Sequence, residues 1–310
     1  MSTIIFSHSS CLGHDPGPLH PESPDRLTAV ISGLEDDDFK GLERREANPI
    51  DEKKLQLIHN SAYIESIFDN VPVHGLINLD PDSCLSAGSG EAMRRAAGAA
   101  VDAVDAVVLR KAKNAFCAIR PPGHHAEASH AMGFCFFNAA ALAAMHARTS
   151  HNIKKIAVID FDVHHGNGTQ HILEIDPDMF YGSSHQFPAY PGTGSAREVG
   201  CANNVINVPL PPGSGSKAFR ESYINIMLPG LKAFKPEFVI ISAGFDAHID
   251  DPLAQLELKE DDYAWVTKSI IEETIGSAEC RVVSLLEGGY NLDALRKSTQ
   301  SHIRALMHSQ

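Results

Sequence analysis

The sequence predicts an α/β protein organised on one mostly parallel sheet, and three observations carry that prediction. Four short apolar runs rich in β-branched residues lie at 115–119, 155–159, 237–242 and 281–286. Each breaks off into a cluster of Gly, His, Asp or Tyr: RPPGHH, DFDVHHGNG, AGFDAH and EGGYN. The stretches between them suit helices. Buried runs alternating with helical stretches are the pattern of βα units, in which helices cover both faces of a parallel sheet.

Taken in order, residues 3–6 (TIIF) predict a first strand. The loop behind it holds Pro16, Pro18, Pro21 and Pro24, so no long helix fits before Arg26. A helix beginning at Ser23 and Pro24 sets Glu22 and Arg26 four residues apart, placed to pair. His8, His14 and His20 read as loop or packing residues, since nothing near them has ligand spacing. Leu55, Ile58, Tyr63, Ile64 and Ile67 predict two short helices around His59. NLDPDS at 78–83 is a turn by composition. The Ala-rich stretch 86–110, with glycines at 88, 90 and 98, predicts a long, closely packed helix.

Composition sets the outer limits. A chain of 310 residues with 43% hydrophobic residues has ample material for a large core; its length alone suggests two domains, though α/β folds often run this long as one. The longest apolar run, 131–145, is shorter than the roughly 18 residues of a membrane span and carries Asn138. The start, MSTIIFSHSS, lacks the basic region of a secretory signal. The six cysteines have no CxxC spacing and read as buried free thiols, which places the protein in a reducing, cytoplasmic compartment. The net charge of −13 argues against nucleic-acid binding and mildly favours cationic partners.

The chemistry concentrates in IAVIDFDVHHGNGTQH at 156–171. Asp160, Asp162 and His164 recur at every second position, and on extended chain such side chains share a face and converge. Two oxygens and an imidazole suit a divalent metal such as zinc; a helix cap or polar loop suits the motif alone equally well. The context decides between them. In open α/β sheets ligands bind beyond the carboxyl ends of the strands, and all four polar clusters fall there. Asp246 is then the natural further ligand. His124 and His125, held by a rigid Pro-Pro-Gly turn, suit acid/base work. Tyr290, behind Gly288 and Gly289, is a phenol able to donate to a developing oxyanion. Phe134, just after Gly133, and Tyr190 suit the walls of an apolar channel.

RPPGHHAE, GFCFFN, DFDVHHGNGTQH, SAGFDAH with its following DDPL, LLEGGYN and the N-terminal HPESPDRL resemble the zinc-dependent histone deacetylase family. The similarity is to its class II branch and to bacterial deacetylase-like and acetylpolyamine amidohydrolases, and it runs from about residue 20 to 291. It implies the arginase/deacetylase fold as a single domain over 1–310, with a central, mostly parallel sheet of about eight strands. It implies zinc on Asp162, His164 and Asp246, with Asp160 orienting His124 and Asn167 supporting His125. It implies a potassium ion on Asp160, Asp162, His164, Ser183 and Ser184, several through carbonyls. Gly133, Phe134, Tyr190, Gly288 and the rim residue Asp82 fall at the family's substrate positions.

The implied activity is hydrolysis of N-acetyl (acyl) amines, acetyl-lysine side chains or acetylpolyamines, with release of acetate. The sequence leaves open the physiological substrate, the acyl length, iron in place of zinc, and a homo-oligomer. Two alternatives are a binuclear manganese ureohydrolase of the arginase or agmatinase type and a non-catalytic acyl-lysine binding module. The first lacks a second-metal carboxylate where Asp246 is followed by Ala247 and His248. The intact Tyr290 and histidines oppose the second.

Overall fold

The computed structural model describes residues 2–279 and 281–309. Among them are ten strands: β1 (Thr3–Ser7), β2 (Glu43–Glu46), β3 (Leu76–Asn78), β4 (Cys84–Ser86), β5 (Asn114–Cys117), β6 (Ile156–Asp160), β7 (Met179–Gln186), β8 (Val205–Leu210), β9 (Phe238–Ala243) and β10 (Val282–Leu286). Eight form one sheet in the order β2-β1-β5-β10-β9-β6-β7-β8, with every neighbouring pair parallel. β3 and β4 make a separate antiparallel pair. The five strands expected from apolar runs are β1, β5, β6, β9 and β10, displaced by no more than a residue or two.

Each central strand serves two cores through its period of two. Ile156 and Val158 of β6 join Ile240, Val283 and Leu285 in a core closed by helices Ser89–Val108 and Ala139–His151. Ala157 and Ile159 join Val239, Ile241 and Leu286 on the opposite face, closed by helices Pro24–Gly33, Glu260–Ala278 and Leu292–His308. Each fully buried Val, Ile or Leu stabilises the fold by about 1.5–3 kcal/mol, so a sheet buried on both faces is held mainly by this term. The stretch 131–145, the longest apolar run, ends inside Ala139–His151, where Asn138 caps the helix by accepting from Ala141 N at 2.9 Å. No helix of the described residues is long and apolar enough to cross a membrane.

Helix Pro24–Gly33 starts where the Ser-Pro pair predicts, and Arg26 Nη1 meets Glu22 Oε1 at 2.9 Å. Both side chains are fully buried. Residues 52–55 and 61–69 form the two short helices around His59. Cys11, Cys84, Cys117 and Cys135 are buried free thiols; Cys201, expected buried, is exposed, and Cys280 lies outside the described residues.

The consequence for the site is topological. β5, β10, β9 and β6 are contiguous at the middle of the sheet. The polar clusters that follow these four strands therefore meet at one edge.

Candidate active site

The ligand-type atoms of Asp162, His164 and Asp246 all lie within 4.8 Å of one another. His164 Nδ1 is 3.2 Å from Asp162 Oδ1 and 3.1 Å from Asp246 Oδ2. The expected convergence of Asp160 with Asp162 and His164 does not occur, because β6 ends at Asp160 and the alternation of side chains ends with it. Asp160 turns instead to His124, whose Nδ1 donates to its Oδ2 at 3.0 Å, and to the Tyr181 hydroxyl at 3.1 Å.

Backbone amides aim the carboxylates. Asp162 Oδ2 accepts from Gly288 N at 2.8 Å, and Asp246 Oδ1 accepts from Val163 N at 2.9 Å. Gly288, expected at the substrate, thus meets the Asp162 carboxylate; a Cβ there would lie 2.2 Å from Asp246 Oδ2. Burial, reinforced by the Asp162 charge, pushes Asp246 up to about 7. Burial works against a charged His164, yet its hydrogen bonds to Asp162 and Asp246 lift it to about 10. Two buried carboxylates and one imidazole in mutual contact are a charge arrangement that a divalent cation balances, and the donor set suits zinc. Amides that fix the carboxylates are the outer support such a site requires.

The tandem histidines have opposite environments. Burial opposes charge on His124, but Asp162 and Asp160 outweigh it and hold the imidazole well above its ordinary range. Burial, then the positive charges of His124 and His164, push His125 well below that range. The rings lie 4.0 Å apart, centroid to centroid, so one cation suppresses the other. His125 Nδ1 donates to Asn167 Oδ1 at 2.8 Å. Burial, against the opposing charge of Arg26 and with the help of Asp246 and Asp162, holds the Tyr290 phenol far above its ordinary value and so protonated.

Of these groups, His125, His164 and Tyr290 face a cavity of about 200 Å³, lined besides by Asp82, Gly133, Phe134, Tyr190 and Leu253. Gly133 has φ +56°, and a Cβ there would come within 2.5 Å of the His125 ring, so only glycine lets this wall close on the imidazole. Phe134 follows at φ 68°, a conformation costly for a side chain of its size. Its amide is held by Ser83 Oγ at 3.2 Å. The Phe134 and Tyr290 rings meet edge-on at 5.9 Å, and Tyr190 meets His125 at 5.2 Å. Asp82 is exposed at the rim, where its carbonyl contacts His20 Nε2 at 3.2 Å. His20, read from the sequence as loop or packing, lies 4.7 Å from the Phe134 ring and so borders the mouth.

The profile of the histone deacetylase domain matches residues 20–306. The chain belongs to the histone deacetylase family. The crystal structure of the HDA15 HD domain superposes with a TM-score of 0.92 at 35% identity, covering 99% of this chain and 88% of that one. A histone deacetylase-like amidohydrolase of Pseudomonas aeruginosa is 36% identical over 93% of this chain and 82% of its own length. A probable deacetylase of Archaeoglobus fulgidus is 33% identical over 99% of this chain and 86% of its own length. By family the chain is a deacetylase or amidohydrolase with the arginase/deacetylase fold, which sets aside the ureohydrolase and binding-module alternatives.

Several supports of this deacetylase site were not assigned to it from sequence, although the Glu22–Arg26 pairing was expected. Glu287, the last acid before Gly288, accepts from Gly123 N at 2.7 Å and His124 N at 3.2 Å, pinning the histidine turn. Asp251 accepts from Tyr290 N at 2.7 Å. Arg26 donates to the carbonyls of Gly289 and Glu287 and stacks 4.9 Å over the Tyr290 ring. Arg120 grips Glu22 through two 2.6 Å bonds. The one available signal was polarity at a strand end that has no role in binding metal. Ser183 and Ser184 are buried on β7, with Ser183 in register with Asp160; their hydroxyls meet His185 Nδ1 at 2.9 Å and the Tyr223 hydroxyl at 3.1 Å.

Proposed function

We propose that this deacetylase is a zinc-dependent amidohydrolase that removes acetyl or other acyl groups from amines such as acetyl-lysine side chains or acetylpolyamines. The observation that carries this reading is the single cavity with His164, His125 and Tyr290 at its base and Gly133, Phe134 and Tyr190 as walls. Its aromatic walls suit the slim methylene arm of an acetylated lysine or diamine.

Asp162, His164 and Asp246 would hold the zinc. The ion, when bound, supplies Lewis acidity to the amide carbonyl and to water. His125, uncharged in its buried setting, takes the proton of the attacking water and returns it to the departing amine. His124 stays cationic against Asp160 and Asp162 and stabilises the charge that develops beside it. The Tyr290 hydroxyl, kept protonated, donates to the oxyanion. The potassium assignment to Asp160, Asp162, His164, Ser183 and Ser184 gains support from the burial and register of β6 and β7. The buried free thiols suit a reducing, cytoplasmic setting.

The test is turnover of a panel of acetyl-lysine peptide, acetylated polyamine and longer acyl-lysine peptide, with Tyr290→Phe in parallel. Wild type should release acetate, and Tyr290→Phe should lose about 10²-fold or more in kcat with zinc content unchanged. Wild-type inactivity on every amide would overturn the reading.

A further inference from the structure

The carboxamide of Asn167 has two dissimilar sides. Its Oδ1 faces His125 Nδ1 at 2.8 Å. Its Nδ2 meets acceptors alone: Glu127 Oε1, Met132 Sδ at 3.3 Å and the His125 carbonyl at 3.4 Å. An amide is nearly symmetric in shape and can turn over, presenting N–H where its oxygen was. A carboxylate only accepts, so a flipped Asn167 would set oxygen against anion. Glu127 is fixed in turn. Its Oε1 accepts from His171 Nδ1 at 2.8 Å, and its carbonyl meets His59 Nδ1 at 3.0 Å. Burial would raise its carboxyl, but hydrogen bonds from His171 and Asn167 prevail and lower it, keeping the acid ionised.

We propose that Glu127 is a positioning residue for the base, acting through Asn167 to select the tautomer of His125. The ionised carboxylate orients the Asn167 amide. The amide oxygen then accepts only from Nδ1–H, and the lone pair of the imidazole is left on Nε2. The interposed amide keeps full negative charge off the imidazole, so orientation is obtained without a large rise in basicity. This role rests on the amidohydrolase reading, in which His125 is the base.

The experiment compares wild type, Glu127→Gln, Asn167→Asp and the double variant by two readouts. One is the ¹⁵N NMR tautomer of His125, assigned against His125→Ala. The other is kcat and KM on an acetyl-lysine peptide. Glu127→Gln can present oxygen or N–H to Asn167, so His125 should become a mixture of tautomers. Its kcat should fall about tenfold at unchanged KM, the difference between a charged and a neutral acceptor. Asn167→Asp sets two carboxylates face to face and should be worse. The double variant should recover toward wild type, because the new carboxylate at 167 accepts from both the amide at 127 and His125. An unchanged Nδ1–H tautomer in Glu127→Gln, or a double variant worse than either single one, overturns the proposal. The tautomer is read whether or not the peptide is turned over. A tautomer shift in a protein that hydrolyses nothing would therefore uphold the positioning and remove the amidohydrolase reading instead.

Discussion

Arg120→Met should destabilise the protein without touching a ligand or the cavity. All five N–H donors of the guanidinium are engaged: two bonds at 2.6 Å to the Glu22 carboxylate, and one each to the carbonyls of Cys11 (2.8 Å), His14 (3.0 Å) and Glu22 (3.2 Å). Both Arg120 and Glu22 are completely buried. Removing one member of such a pair costs about 3–5 kcal/mol, because the remaining charge is left in a site that water does not reach. Arg26 still faces Glu22 at 2.9 Å, which limits the loss to about 4 kcal/mol, a large share of the ~5–15 kcal/mol that holds a domain folded. With a urea slope of about 3 kcal/mol/M, the midpoint should drop by about 1.3 M. Fluorescence of Trp265, the single tryptophan, reports the transition. The effect also has a pH signature. Burial would raise the Glu22 carboxyl, yet Arg120, His14 and Arg26 together hold it well below the usual carboxylate range. A depressed folded-state pKa gives stability that is present above the unfolded value, about 4.3, and lost as pH falls toward the folded one. Wild type should therefore lose this contribution progressively once pH falls below about 5, and the gap to Arg120→Met should go on narrowing below about pH 3, because the folded value lies well under the usual carboxylate range. A loss under about 1 kcal/mol at pH 7, or a gap that ignores pH, would refute the reasoning.

Three further outcomes are expected. Elemental analysis after gentle purification should find about one equivalent of zinc per chain, and Gly288→Ala, whose methyl would lie 2.2 Å from Asp246 Oδ2, should lose it; two essential manganese ions, or full zinc in the variant, would contradict the ligand assignment. His125→Ala should be more damaging than His124→Ala and should erase one limb of the pH–rate profile; the reverse ranking would make His124 the base. For a chain of net charge −13, kcat/KM toward a cationic acetylated polyamine should fall as salt rises, while a neutral acetyl-lysine analogue should change little; parallel rates would remove the electrostatic steering.

What the sequence disclosed follows from where each signal is local. β5, β6, β9 and β10 are buried on both faces, so their apolar runs stand out, and the residue after a parallel strand emerges at the ligand-binding edge whatever the loop does next. β2 is the exposed edge strand ERRE and carries no hydrophobic signal. β8, VINVPL, contains Pro209 at the other edge, where a missing donor is tolerated. β7, MFYGSSHQ, is buried throughout, but Ser183, Ser184 and His185 are tolerable there only through distant partners such as Tyr223 and the Gly194 carbonyl. The eight-strand count therefore came from family resemblance and not from periodicity. The Glu22–Arg26 spacing was legible; that Arg120 completes the cluster was not, because 98 residues separate it from Glu22.

The place of β10 bears on how the protein comes into being. It lies between β5 and β9, yet it is synthesised after both. Until it inserts, a nascent chain carries Asp162, His164 and Asp246 but has two open strand edges at the middle of its sheet, and the acid that pins the histidine turn is missing. Such edges invite pairing with other chains, and contacts this distant in sequence form slowly. A translation product ending at Glu279 should consequently associate with itself and hydrolyse nothing, whereas a soluble, active one would show that the gap can close without its last strand. Hydrolysis should accordingly begin only after β10 has been threaded into the centre of the sheet.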